Sequence, residues 1–277
     1  MSIEDTVKEM KSLYDGYHFA PNMVNVYNPY SVLTAFSKGR LNSYWIASGS
    51  TEMLFKILKK FAKDIPSLDG CLIDADYLEE SDVNMLDPKL FLYQAGYLTI
   101  KAVEGSTYVL GYPNREVKKS IMELVLPLLL SKDVPEVNND ILQIRTALNI
   151  KDIDKAMIYL KQLIANTPYS TQGKEKFVFE EHFRFILKNV FYLCGYTIKE
   201  EMQMASGRIV LVAESKSTIY VMELKMQNNG GVKSAADLLA TRHYKNAFAA
   251  SQKEVVCLAL SFSKECRGLE NWGIVKT

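Results

Sequence analysis

Glu223-Leu224-Lys225 follows an apolar run, Ile219-Tyr220-Val221-Met222. Side chains alternate along a strand, so the carboxylate and the ammonium fall on one face. A charge pair inside an apolar strand costs free energy unless it is paired or functional. The triplet alone is a weak signal, because Glu9-Met10-Lys11 and Glu116-Val117-Lys118 repeat its spacing in segments that read as helical. Its setting sets it apart. A second apolar run, Gly207 to Glu214, precedes it across the polar break Ser215 to Ser217, which reads as a β-hairpin, and Gly230-Gly231 follow before a helix. A functional pair and a strand end with two solvated charges both fit this pattern.

The elements that must position the pair follow from periodicity. Phe177 to Leu193 reads as a helix carrying Glu180, Glu181 and His182. Tyr196 to Met202 reads as a strand, Ala205 to Gly207 as a turn, Lys233 to Ala250 as a helix and Glu254 to Leu260 as a buried strand. Residues 171–277 hold 15 Lys+Arg against 11 Asp+Glu, and residues 1–170 hold 18 against 21. The C-terminal part is therefore mildly basic, which permits contact with phosphate without requiring it.

Two blocks lie upstream. Residues 1–65 read as helical with an aromatic loop, Tyr14-Asp15-Gly16-Tyr17-His18-Phe19, then Asn28-Pro29 opening a helix and Thr51 capping another. A lone His beside Tyr and Phe is more often packed than catalytic, and His18 is read that way. Residues 66–170 are mostly helical with one hairpin, Tyr97 to Ile100 against Tyr108 to Leu110, followed by helices over 114–129, 138–150 and 151–164. Helix, hairpin, helix is compatible with a winged-helix-like unit. Lys118 and Lys119 could touch DNA there, although a solvated helix face is the plainer reading. Asn166 to Lys174, with Pro168 and Gly173, is the expected linker.

Composition bounds the class. The chain has 277 residues, 48% of them hydrophobic, enough for a sizeable core in one large or two ordinary domains. Met1 to Lys11 has no apolar core of a secretory signal, and Ile121 to Leu130 is too short to span a bilayer. Cys71, Cys194, Cys257 and Cys266 lack Cys-x-x-Cys spacing and read as reduced thiols of a cytoplasmic protein.

Residues 175–277, with Gly207-Arg208-Ile209, Glu223-Leu224-Lys225 and Glu270-Asn271-Trp272, resemble the PD-(D/E)XK nuclease-like domain that closes many bacterial proteins with an AAA-ATPase-like domain. Residues 1–65, through the Tyr14 to Phe19 loop, Tyr27 to Leu33 and Tyr44-Trp45-Ile46, look like the end of that ATPase-like domain. Residues 66–170, through Gln94 to Ile100 and Tyr112 to Val117, look like the region after it. The resemblance implies an α+β chain: a mostly helical N-terminal part, then an α/β restriction-endonuclease-like domain. No Gly-x-x-x-x-Gly-Lys-Ser/Thr loop occurs in the sequence, so no ATPase activity is expected.

The resemblance also assigns roles. Glu223 would be a magnesium ligand, Lys225 would activate water and stabilise the transition state, and Glu180 would be the accessory acid, with Glu181 as its neighbour. The first-strand Asp that should join Glu223 on the metal falls at Val210, and the helical Gln often found in the family falls at Leu238. Neither aliphatic side chain binds a hard cation. Glu214 is on the face of Val210 but roughly 13 Å along the strand. Glu201 on the adjacent strand is the other substitute. A Ser206-Gly207 turn would set Gln203 opposite Val210 and Glu201 diagonally beyond. Magnesium is accordingly expected to bind weakly or not at all.

Three functions follow. The first is a catalytically degenerate nuclease-like domain that binds nucleic acid or protein, with Arg208, Lys225, Arg242 and Lys245 on phosphate. The second is an active magnesium-dependent DNA endonuclease with a relocated carboxylate, drawn from Glu180, Glu201 and Glu223. The third is a structural partner of a separate ATPase chain.

Overall fold

The structure is a computed structural model that describes residues 2–18, 20, 24–45, 51–61, 65–79, 87–165, 167, 175–204, 207–241, 248 and 250–275, with the backbone alone at 51, 66 and 79 and over 175–179, 200–204 and 207–210. The chain forms two compact units, Met1–Val125 and Leu126–Thr277.

In the first unit, α1 (Ile3–Tyr14) starts at a capping box in which the Ser2 hydroxyl accepts from the Asp5 amide at 3.0 Å. Asn28 caps α2 (Pro29–Lys38), with proline in the first turn and Gly39 ending the helix at φ +62°. Leu13, Tyr14, Ala35 and Tyr44 form the small core between these helices.

Then come α3 (Thr51–Lys60), β1 (Cys71–Asp74), α4 (Ala75–Glu79), α5 (Pro88–Gln94), β2 (Thr99–Glu104), β3 (Thr107–Gly111) and α6 (Arg115–Leu130). The strands form an antiparallel sheet in the order β1-β3-β2. A hairpin forms here as expected, but its first strand is Thr99–Glu104 rather than Tyr97–Ile100. Its partner β1 is a strand of four residues, too short for periodicity to reveal.

The aromatic loop is a structural fastener. Gly16 takes φ +103°, and a Cβ there would lie 2.4 Å from the Pro113 carbonyl oxygen, so only glycine fits. His18 is buried with its ring nitrogens against the Ile100 carbonyl, 2.8 Å away, and the Asn25 side-chain oxygen. Glu116, fully buried in α6, accepts from the amides of Tyr44 and Trp45, the second at 2.9 Å. Burial pushes its carboxyl above the ordinary range, and these two donors pull it back only in part. The Lys118 ammonium pairs with Asp69 at 2.8 Å and that of Lys119 with Glu123 at 3.6 Å.

The second unit holds α7 (Val134–Asn149), α8 (Ile153–Leu163), α9 (Glu175–Leu193), β4 (Thr197–Met204), β5 (Gly207–Glu214), β6 (Thr218–Met226), α10 (Gly231–Thr241), β7 (Glu254–Ser263) and β8 (Gly268–Val275). The sheet order is β4-β5-β6-β7-β8, with only the β6–β7 pair parallel. Parallel neighbours need a crossover, and α10 lies in it. The final strand β8 was not foreseen, because its glycines and Asn271 break the alternation. It is held from outside by α8: the Trp272 indole donates to Asp154 at 3.0 Å, and Lys161 donates to the Glu270 carbonyl at 2.8 Å.

The sheet has two covered faces. Phe183 of α9 stacks on Phe262 with ring centroids 4.8 Å apart, and Phe191 meets Tyr220 at 5.8 Å. On the other face, Ala235 and Leu239 of α10 pack with Val212, Ile219, Val221, Cys257 and Ala259. The expected linker lies, apart from Thr167, outside the described residues.

Candidate active site

Alternation in β6 decides which face carries the charges. Ile219 and Val221 pack under α10, so Glu223 and Lys225 continue that side, while Tyr220 belongs to the α9 side. Glu223 is 2% exposed, and Lys225 Nζ lies 3.2 Å from its Oε1. Glu223 is therefore a buried carboxylate paired with a partly exposed ammonium on the side of the sheet that α10 covers, not a solvated strand end. The helical triplets differ: Glu9 pairs with Arg115, and Glu116 holds two backbone amides.

The register places the remaining sequence candidates. In β4–β5, Glu200 pairs with Leu211, Met202 with Ile209, Gln203 with Arg208 and Met204 with Gly207. This corrects the expected register: Gly207 is already a strand residue, so the link is Ala205-Ser206, and Gln203 does not face Val210. Glu201, between the first two pairs, stands across from Val210. In β5–β6, Leu211 pairs with Met222, so Val210 and Glu223 each lie one residue past that pair. Extended one residue past its last pair, this register sets positions 201, 210 and 223 in one row across three strands.

Glu180 pairs with Arg184 at 3.6 Å on α9, the helix that covers the opposite face. Glu214 is engaged elsewhere, joined to Lys253 at 2.7 Å and Lys199 at 3.1 Å. Those two ammonium groups, Lys253 foremost, hold its carboxyl below the ordinary range. His182 on α9 is held toward its neutral form by burial. Leu238 lies on α10 and is partly buried. Arg208 is placed only by its pairing with Gln203, and Arg242 and Lys245 lie outside the described residues.

A polar cluster that the sequence did not reveal sits beside Lys225. Ser261 pairs with Lys225 across β6–β7 and is fully buried. Its hydroxyl lies 3.1 Å from Gln227 Oε1 and 3.4 Å from Glu270 Oε2. Glu270 arrives there because the β7–β8 register slips at Ser261/Phe262, a bulge that re-aims one side chain. Gly231 makes room: it takes φ +51°, and a Cβ would lie 2.4 Å from Gln227 Oε1 and 3.0 Å from Ser261 Oγ. Residues brought together by a crossover and a bulge leave no local pattern to read.

Among the described residues, no group of three His, Cys, Asp or Glu side chains is placed to hold a metal ion. On this face they supply Glu223, with Lys225 on one of its oxygens, and Glu270 against Ser261 in the neighbouring cluster, and these two carboxylates alone do not make the oxygen cage a magnesium ion needs. Among the described residues, no helix is long and apolar enough to cross a membrane.

Five strands, a helix on each face and a Glu-x-Lys pair at the end of the third strand define a nuclease-type sheet. Residues 178–272 match the family model of the PD-(D/E)XK nuclease superfamily, and this segment is a domain of that superfamily. The chain is also 24% identical over 269 residues to an uncharacterised protein in the vnfD 5′ region of Azotobacter chroococcum mcd 1. That alignment covers 94% of this chain and 51% of the relative, so the chain spans about half the relative's length. No solved structure matches the chain.

Proposed function

We propose that the C-terminal domain is a nuclease-superfamily scaffold whose metal site is disarmed and which engages nucleic acid without cutting it. One observation carries this reading: Val210 stands in the row of Glu223, and the Glu223 carboxylate is neutralised by Lys225 at 3.2 Å. Phosphodiester hydrolysis needs at least a pair of oxygen ligands around the cation, and an aliphatic side chain supplies none. The mild positive balance of residues 171–277, with Arg208, Lys225, Arg242 and Lys245, supports phosphate contact.

The register favours a second reading. Glu201 lies across from Val210, so its backbone is about two strand spacings, or about 10 Å, from that of Glu223. A cation over the middle strand would be within reach of both glutamates, making an active magnesium-dependent endonuclease with a relocated acid.

The test is cleavage of plasmid and single-stranded DNA with magnesium or manganese, comparing wild type, Lys225→Ala, Glu201→Gln and Val210→Asp. Inert wild type that still binds DNA, with activity gained by Val210→Asp, supports the disarmed scaffold. Wild-type cleavage lost in both Lys225→Ala and Glu201→Gln establishes the relocated site instead.

For the first unit we propose a winged-helix-like segment over 51–111, on its order of helix, strand, two helices and hairpin with β1 beside β3. Within it, Lys89 and Lys101 are engaged by the Leu72 and Pro113 carbonyls rather than presented to a phosphate. An ATPase-like origin for residues 1–65, with a separate ATPase chain as partner, remains a proposal of the same kind.

A further inference from the structure

Among the described residues, no lysine or arginine pairs with the Glu270 carboxylate. Lys225, which stands beside Ser261, is drawn to Glu223 at 3.2 Å, and Lys161 donates to the Glu270 carbonyl at 2.8 Å. Two carboxylates against the one ammonium of Lys225 leave this group with a surplus negative charge. What the Glu270 side chain meets instead is oxygen. The Ser261 hydroxyl lies 3.4 Å from Glu270 Oε2 and 3.1 Å from Gln227 Oε1. A hydroxyl carries one hydrogen and cannot serve both acceptors. Both distances also exceed the about 2.7–2.8 Å of an ordinary O–H···O bond, and a carboxylate draws a hydroxyl closer still, to about 2.5–2.7 Å. Three oxygens thus converge without a strong bond among them. Their spacing is that of ligands around one ion. Ligands at right angles are separated by √2 times the metal–oxygen bond, about 3.3–3.7 Å for calcium and about 2.9 Å for magnesium. The 3.4 Å separation falls in the calcium range, and the 3.1 Å one suits the tighter angles of a seven- or eight-fold calcium shell.

We propose that Gln227, Ser261 and Glu270 form a calcium-type divalent cation site, separate from the Glu-x-Lys pair. Glu223 is paired with Ala259 and Lys225 with Ser261, so the site begins two residues further along β7 than Glu223 and extends to β8. A carboxylate, an amide carbonyl and a hydroxyl, with no nitrogen or sulfur, are ligands for a hard cation. Ser261 is the buried floor and Gln227 the exposed rim, so an ion enters from solvent and water completes its shell. Gly231 keeps the space open, since a Cβ there would lie 2.4 Å from Gln227 Oε1. The bound ion would tie the turn after β6 to β7 and β8, and so fix the sheet end from which α10 departs. One carboxylate and two neutral oxygens make a weak site, with a dissociation constant of about 0.1–1 mM.

The probe is terbium, which takes calcium sites and luminesces when a nearby indole is excited; Trp272 lies two residues from Glu270. The full chain is titrated with terbium, calcium is added in competition, and melting is recorded with and without millimolar calcium. Wild type is compared with Glu270→Gln, Gln227→Glu and Glu223→Gln. The expected result is luminescence that calcium displaces, with calcium affinity more than tenfold weaker in Glu270→Gln. That substitution keeps the size of the side chain and a hydrogen-bond acceptor, so its melting without calcium should stay close to that of wild type. Gln227→Glu puts two carboxylates on one hydroxyl. Without calcium it should melt below wild type, and calcium should restore its Tm and bind it more tightly than wild type. If calcium neither displaces terbium nor raises the Tm of wild type or Gln227→Glu, the three residues are a hydrogen-bond network only and the proposal is overturned. Calcium binding kept in Glu270→Gln but lost in Glu223→Gln puts the ion on the Glu-x-Lys pair and overturns it as well.

Discussion

Replacing Lys225 with methionine keeps the length of the side chain and removes the cation beside Glu223. Glu223 is 2% exposed, so its carboxylate cannot recover its hydration where it stands. Deleting one partner of a fully buried pair costs about 3–5 kcal/mol. The Lys225 side chain is 24% exposed, so water already screens part of the pair. That lowers the expectation to about 2–3 kcal/mol. For a unit the size of Leu126–Thr277 this is a drop of roughly 4–12 °C in Tm. Replacing both residues, Glu223→Leu with Lys225→Met, removes the buried carboxylate together with its ammonium, and the double variant should melt closer to wild type than the single variant does. The assay is calorimetry at neutral pH on wild type, both singles and the double, each with and without millimolar magnesium. If Lys225→Met melts within about 1 °C of wild type, or the double loses as much as the single, Glu223 is not a buried charge that depends on Lys225, and the reasoning fails. If magnesium raises the Tm of Lys225→Met more than that of wild type, a cation can take the place of the ammonium, and the site retains an affinity that the lysine masks.

Two buried or bridged carboxylates should give opposite pH dependence. Lys253 and Lys199 depress the Glu214 carboxyl, so its contribution is present above the ordinary glutamate value and is lost as pH falls through the lower folded value. Glu214→Gln should therefore flatten the acid limb of the Tm profile below about pH 4, and an unchanged limb would refute the bridge. Burial raises the Glu116 carboxyl, so the folded state holds that proton more tightly than the unfolded chain does. Stability from this group is greatest below the ordinary value and declines as pH rises toward the folded value. Glu116→Gln should remove that decline, and its persistence in the variant would assign it to another group.

Much of the C-terminal sheet was legible because each element carries its own period. The β6 run Ile219 to Met222 is apolar whichever face is counted, yet its hairpin partner and the glycines after it fix it as an inner strand. The charges could be assigned to one face before any packing was known, since alternation needs no tertiary information. The neighbour across that face could not. Nor could the Ser261, Gln227 and Glu270 cluster, which depends on a bulge in β8 and on the close approach permitted by Gly231. In the first unit the aromatic loop was legible as a motif but not as a fastener. The partners of Gly16 and His18, Pro113 and Ile100, lie far along the chain.

The error in the β4–β5 register shows what kind of inference fails and what survives. With Met204 paired to Gly207 in place of the expected Ser206-Gly207 turn, both strand ends shift together, which changes the pairing by two residues. A one-residue slip would have sent every side chain to the opposite face, but a two-residue shift preserves the faces and changes only who stands opposite whom. Glu201 therefore keeps the face assigned to it and exchanges a diagonal position for one across from Val210. The consequence is chemical. A diagonal carboxylate would have to reach past its neighbour to approach Glu223, whereas one in the same row flanks the missing ligand position from the other side. The loss of the acid at 210 and the presence of one at 201 are thus facts about a single row of the sheet. Glu201→Gln and Val210→Asp must then be read together: if that row forms a site, the first removes what activity exists and the second restores it.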